Sequence, residues 1–546
     1  MRAPRLTALA ASLLLFTATP STWAGEIIVD FFAAPGTGFA DPTPVAPVGG
    51  NPGLTLGQQR IFVFLQAAAI WTEVVKPTQD IFVAAQFEPL GPNVLGAAGA
   101  QFIWSNFPGA ELPNTWYFDS LADHLASQDL SPPTYDVVAR FSSDFNFYLG
   151  FDNNDPPGQV DLLVVVLHEI GHGLNFANAV NETTGAIPAP AGATEPFGDI
   201  YSQYTTDVTT NKGWNAMTAA ERAASALNVR KVSWSGLHVK LNHRRVLERG
   251  EPTARVLSPA ALGSLMVGPA SFGPPLDARG VTGRVVLAES ATGSDGCSPI
   301  TNDLSGKIAL IDRGTCGFTV KVKAAQDAGA IAVLIADNVV ALPPAGLGGA
   351  DPTITIPSVR IGLPDGNAIK ANLPAGVRVK IAVDNSILAG TDRVKGQVML
   401  AAFNPVQPGS SISHFEAVAS PNQIMEPAIN LDLVSSLKPP QDLTAPLLTD
   451  LGWFTDRDGV LDGVDLCLGS NIAPTVVLGT CDSEVPNNVR DSGCSIADIV
   501  GACEPLKARS RAAYVACVWA ASTLLRLDHE ITDPQRAKIV HCAAQP

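Results

Sequence analysis

Positive charge is scarce in this chain. Its 546 residues carry 35 Lys and Arg against 51 Asp and Glu, a net charge of −16. A nucleic-acid binder needs a basic face to meet phosphates, so the balance argues against that class and suits a soluble protein or a cation binder. Charged residues make up only 16% while hydrophobic ones make up 46%, which excludes wholesale disorder. Long apolar runs are missing too. Residues 6–18 form the main one, and it is too short to span a bilayer. Cysteine is absent before Cys297; the eight present fall as one close pair, Cys297 and Cys316, and six from Cys467 onward. Histidine is as rare, at eight residues.

What is present begins with a leader-like segment. Arg2 and Arg5 precede the apolar run, and Thr22-Trp23-Ala24 supplies a small-residue cleavage site, so residues 1–24 read as a secretory signal peptide. The expected product is secreted, without membrane insertion, and export permits disulfides. Length suggests three or four domains, and the uneven cysteines mark at least three units.

Residues 164–180 read VVVLHEIGHGLNFANAV. The pattern H-E-x-x-H sets His168 and His172 four apart, so a helix brings both imidazoles to one face, where they can share an ion. Glu169 lies about 100° round the helix, placed to act on water rather than to ligate. Zn²⁺ favours imidazole and takes three protein ligands in catalytic sites, so a third must come from elsewhere. Pro156-Pro157-Gly158 breaks the chain before the motif, and Asp161 is the expected N-cap.

Ahead of the motif, residues 26–32, 80–87 and 135–141 read as strands, 56–75 as an amphipathic helix and 121–127 as a shorter one. Behind it, residues 181–199 read as a surface loop and 217–226 as a helix. Residues 230–249 gather six basic side chains, including Arg230, with His238 and His243, and read as a solvated loop, the alternative being a stretch that holds an anionic substrate group. Then 306–311, 318–328 and 330–336 follow as strand, helix and strand, the order of a parallel pair. Residues 443–448 read as a helix. Further on, Asp456, Asp458, Asp462 and Asp465 are spaced so that several oxygens could wrap one hard cation; a plain Asp-Gly turn is the alternative. The six late cysteines allow fifteen pairings in a small helical unit.

Three resemblances extend this reading. GKIALIDRGTCGFTVKVKAAQDAGAIAVLIADN with the following ITIPSVRI resembles a protease-associated (PA) domain, which implies a non-catalytic insertion and a Cys297–Cys316 bridge. The compact metzincin pattern H-E-x-x-H-x-x-G-x-x-H fails here, because Asn175 stands at the Gly and Asn178 at the last His. The segment SHFEAVASPNQIMEP is instead similar to leishmanolysin-like metzincins, in which a domain is inserted after the helix. That resemblance implies His414 as third zinc ligand and Met425 in the turn beneath the metal. FTDRDGVLDGVDLC resembles a thrombospondin type 3 calcium repeat, although one repeat is visible and Arg457 departs from the pattern.

The expected fold class is therefore multidomain α+β. It comprises a metzincin-like catalytic domain in two parts, 25–257 and 386–455, around a PA insertion at 258–385. An Asp-rich linker, 456–466, leads to a small disulfide-rich helical domain, 467–546. The expected activity is that of a secreted zinc endopeptidase acting on protein or peptide substrates through a zinc-bound water, with Glu169 as general base and Ca²⁺ as a second cofactor. The rival is an extracellular binding or adhesion protein whose metal site is structural or inactive.

Overall fold

The computed structural model describes residues 25–193, 195–430 and 432–545. The leader at 1–24 lies outside the described residues. The chain is a multidomain α/β protein with four disulfides.

Its first sheet has four strands, in the order Ile27–Phe32, Ile81–Glu88, Val137–Ser142, Gly96–Ala100. The first three run parallel, and Gly96–Ala100 closes the edge antiparallel. Helix Leu56–Val75 connects the first parallel pair; Thr55 caps it by accepting from the Gln58 N–H. The helix Leu162–Gly173 lies against this one, where the Trp71 indole N–H donates to the Leu167 carbonyl at 3.1 Å. A single apolar core joins residues between Ile27 and Leu247 to residues between Val398 and Trp453. The chain therefore leaves this domain and returns to it.

The excursion is a separate eight-stranded sheet with apolar clusters on both faces. Strands Val281–Leu287, Ile308–Asp312, Ala332–Ala336 and Ser358–Ile361 run parallel in sequence order, with helix Phe318–Asp327 as one crossover. Arg249–Ser258 and Arg378–Leu388 pair antiparallel, so the two ends of the insertion leave side by side, Arg249 opposite Leu388. Such adjacent ends let one domain interrupt another without displacing its core. The boundary differs from the expected 258–385, because the strand beginning at Arg249 belongs to the inserted sheet. Cys297 and Cys316 are bridged, with Cα atoms 5.7 Å apart.

Past Trp453 a third unit pairs the hairpin Thr475–Leu478 and Cys481–Pro486 with helices that include Arg511–Leu527 and Asp533–Ala544. Three bridges hold it: Cys467–Cys494, Cys481–Cys542 and Cys503–Cys517. One expectation needs correction. The basic stretch is no loop: Leu237–Val246 is a helix, with His243, Arg244 and Arg245 in its last turn, where cations suit the helix dipole. Arg230, just before it, reaches Glu251 of the inserted sheet at 2.8 Å and the buried Glu416 at 3.5 Å. The motif helix stops at Gly173, and Asn175 just beyond it takes φ 76°, the left-handed turn that Asn tolerates at a helix end.

Candidate metal centre

Asp161 starts the motif helix, its side chain accepting from the Leu163 and Val164 N–H groups. A cap of this kind contributes about 1 kcal/mol. Two glycines let the helix be approached closely. A Cβ on Gly173 would lie 2.3 Å from Val137 of the sheet, and one on Gly171 would lie 2.7 Å from Met425 Sδ. The helix is thereby pressed between the sheet and the turn that carries Met425.

His168, His172 and His414 meet in this buried layer, although 242 positions separate His172 from His414. Their Nε2 atoms form a nearly equilateral triangle: 3.1 Å from His168 to His172, 3.2 Å from His172 to His414, and 3.1 Å from His414 to His168. Each Nδ1 faces a backbone carbonyl, Ile424 at 2.7 Å, Phe176 at 2.9 Å and Ser410 at 2.8 Å. A carbonyl only accepts, so each Nδ1 carries the proton and each Nε2 presents a bare lone pair. Three lone pairs facing one another at such range repel unless a cation lies between them. An ion about 2.0–2.1 Å from all three would see them about 100° apart, close to the tetrahedral angle zinc favours. Burial disfavours imidazolium, lowering His168 to about 4, His172 to about 3 and His414 well below its usual value. Neutral imidazole is the ligand form, so the donor set fits Zn²⁺.

Glu169 is not one of the clustered groups, and its carboxyl lies against the sheet edge. Its carboxyl is pushed up to about 8 by burial, partly opposed by a hydrogen bond from the Ala98 backbone. Ala98 belongs to the edge strand, whose Gly96 lies so close that an added Cβ would be 2.7 Å from Glu169 Cγ and 2.8 Å from Oε1. Gly96→Ala is therefore expected to displace the carboxylate and lower kcat by at least about tenfold, with zinc content unchanged; parallel metal analysis and kinetics read both.

Met425 is fully buried, and its carbonyl accepts from the Phe415 N–H at 2.8 Å, next to His414. Asn175 accepts from the Phe118 N–H, and Asn178 donates to Ser413 and Glu182. Where a compact metzincin would place its last His, this chain thus braces the segment that brings His414. Among the described residues His124, His238, His243, His529 and His541 stay outside the cluster.

In the tail, Asp456, Asp458 and Asp465 each bring an oxygen within 4.8 Å of the others. Asp458 Oδ2 and Asp465 Oδ2 are buried without a hydrogen-bond partner. Asp462 is not in this group. It turns inward, accepts from the Phe454 N–H, and sits near Glu111, whose carboxyl burial pushes upward. The expected four-Asp set is corrected to three, because the Asp462 carboxylate is engaged by the Phe454 N–H and Glu111 instead.

Two family models match parts of the chain. Residues 281–369 match the PA domain family. The inserted unit contains a PA domain. A second family, described as SPBPB7E8-like, matches residues 125–191 and so includes the motif helix. The chain is 44% identical to the "Probable lipoprotein aminopeptidase LpqL" of Mycobacterium tuberculosis over 94 residues, 17% of this chain and 18% of that protein. It is 32% identical to aminopeptidase YwaD of Bacillus subtilis over 165 residues, 30% of this chain and 34% of that one. Among solved structures, an aminopeptidase from Aneurinibacillus sp. is 29% identical with a TM-score of 0.21, covering 25% of this chain and 31% of its own. The chain thus spans about a third or less of these relatives' lengths.

The edge strand Gly96–Ala100 escapes a reading by residue type, since GAAGA has no β-branched or aromatic residue to signal a strand. The carbonyls that orient the three imidazoles carry no residue-type signal at all.

Proposed function

We propose that the chain is an exported, zinc-dependent endopeptidase of leishmanolysin-like metzincin type. The observation that carries this reading is the triangle of unprotonated Nε2 atoms beside a buried glutamate. When bound, zinc supplies Lewis acidity, which polarises a carbonyl and acidifies water. His168, His172 and His414 hold the ion through Nε2, their rings fixed by carbonyls on Nδ1. Glu169 takes a proton and returns it to the leaving amine. Burial raises its proton affinity and a neighbouring cation lowers it, which brings a general base towards neutral pH.

The edge strand supplies the substrate argument. Gly96–Ala100 is paired on one side only within its sheet, and Ala98 faces Glu169. An extended peptide can add to such an edge through its main chain, with residues on both sides of the scissile bond. That favours cleavage inside a chain. The relatives named aminopeptidases share too little of their length to decide the point.

The test uses an N-acetylated peptide. An endopeptidase cleaves it internally, a chelator stops the reaction, and zinc restores it. Release of single residues from free N-termini alone would overturn the endopeptidase reading. The four disulfides suit an oxidising compartment, in keeping with export.

Asp456, Asp458 and Asp465 are assigned to calcium, as a clamp between the catalytic domain and the tail. Added Ca²⁺ is expected to raise Tm by several degrees, and Asp465→Asn to abolish that part of the rise, with zinc content unaffected. A Tm response to calcium identical in the variant would remove the ion from this site.

A further inference from the structure

A second group of carboxylates lies in the first domain, away from the histidines. Asp119 and Asp123 stand four apart on one face of the helix Asp119–Ala126, and Asp136 immediately precedes strand Val137–Ser142. One oxygen from each lies within 4.8 Å of the other two, and all three residues are 0% exposed.

Each of these carboxyls meets at least one hydrogen-bond donor, while burial pushes Asp119 upward. The Trp104 indole and the Ser131 hydroxyl donate to Asp119, the Leu130 N–H to Asp123 Oδ1 at 2.9 Å, and the Phe82 N–H to Asp136 Oδ2 at 2.6 Å. Each donor favours the ionised form. Asp123 Oδ2 is buried with no hydrogen-bond partner. Among the described residues no Lys, Arg or His pairs with Asp119 or Asp123. Burial, together with the negative charges of Asp136, Asp119 and Asp129, pushes the Asp123 carboxyl up to about 8. Protons on these carboxyls work against those four donors, whereas a cation among them works with the donors.

We propose that Asp119, Asp123 and Asp136 form a structural site for a hard divalent cation of the calcium class. The donors are all oxygen, which suits Ca²⁺ and disfavours the softer transition metals. The ion would tie the helix Asp119–Ala126 to the start of strand Val137–Ser142 across the intervening loop. It would also back the zinc centre, because Ser120 Oγ on the same helix donates to the Gly173 carbonyl, the last residue of the motif helix, at 2.7 Å.

Terbium is the probe, because Trp104 hydrogen-bonds a proposed ligand and can sensitise its emission. The experiment uses the zinc-loaded full chain carrying Asp456→Asn and Asp458→Asn, which removes the tail cluster. Sensitised emission is expected to saturate with added Tb³⁺ and to be displaced by Ca²⁺. Adding Asp123→Asn should abolish it. If that variant does not fold, Trp104→Phe gives the answer with every ligand kept: the emission falls while Ca²⁺ still raises Tm. Absence of both displaceable emission and a calcium-dependent Tm in the tail-cluster variant would overturn the proposal. So would emission that persists unchanged in folded Asp123→Asn protein.

Discussion

Replacing Glu169 by Gln is expected to lower kcat/KM by at least about a hundredfold while zinc content stays at the wild-type level. The substitution keeps the side chain's size, and the Nε2 triangle does not involve Glu169. The Ala98 N–H still finds an acceptor in the amide oxygen, so the edge strand keeps its place. What disappears is the ability to take up a proton. Loss of transition-state stabilisation alone should leave KM for a long peptide little changed. A variant with full turnover would mean that another group serves as the base.

His414→Ala is expected to abolish both zinc retention and hydrolysis. Two imidazoles four apart on a helix make an incomplete site, and among the described residues no further His, Cys, Asp or Glu joins the cluster to replace the third nitrogen. The contrast is with His238 and His243, which lie in the helix Leu237–Val246 and outside the cluster. His238 Nε2 contacts the Asp462 carbonyl, and His243 Nδ1 contacts the Lys240 carbonyl. Their alanine variants should bind zinc normally, even where stability falls. Zinc content per chain separates these cases directly. Normal zinc in His414→Ala would place the third ligand elsewhere.

The parts of this architecture that follow from local spacing were legible in the residues. His168 and His172 announce their helix by a four-residue interval, and helix Leu56–Val75 matches its apolar repeat. The insertion showed itself through its strand–helix–strand order and its likeness to PA domains. His414 could not be placed by spacing, since only the pairing of Arg249–Ser258 with Arg378–Leu388 returns the chain to the site. It was reached through the likeness of its segment to a known family.

Other features depend on partners that sequence does not display. Gly96 matters because of what a Cβ would strike, and the Nδ1 carbonyls are main-chain atoms. Asp462 fits the acidic repeat by spacing, yet its carboxylate meets the Phe454 N–H and lies near Glu111. Asp119, Asp123 and Asp136 carry no metal-site spacing in the sequence, because Asp136 joins the helical pair only through the loop between helix and strand.

The central claim is that three histidines from two distant segments hold one zinc ion. X-ray absorption at the zinc edge of the purified, zinc-loaded chain tests it most directly. The account predicts one zinc per chain, with three imidazole nitrogens at about 2.0–2.1 Å and outer-shell scattering from three rings. Sulfur in the first shell, or scattering from only two imidazoles, would contradict it.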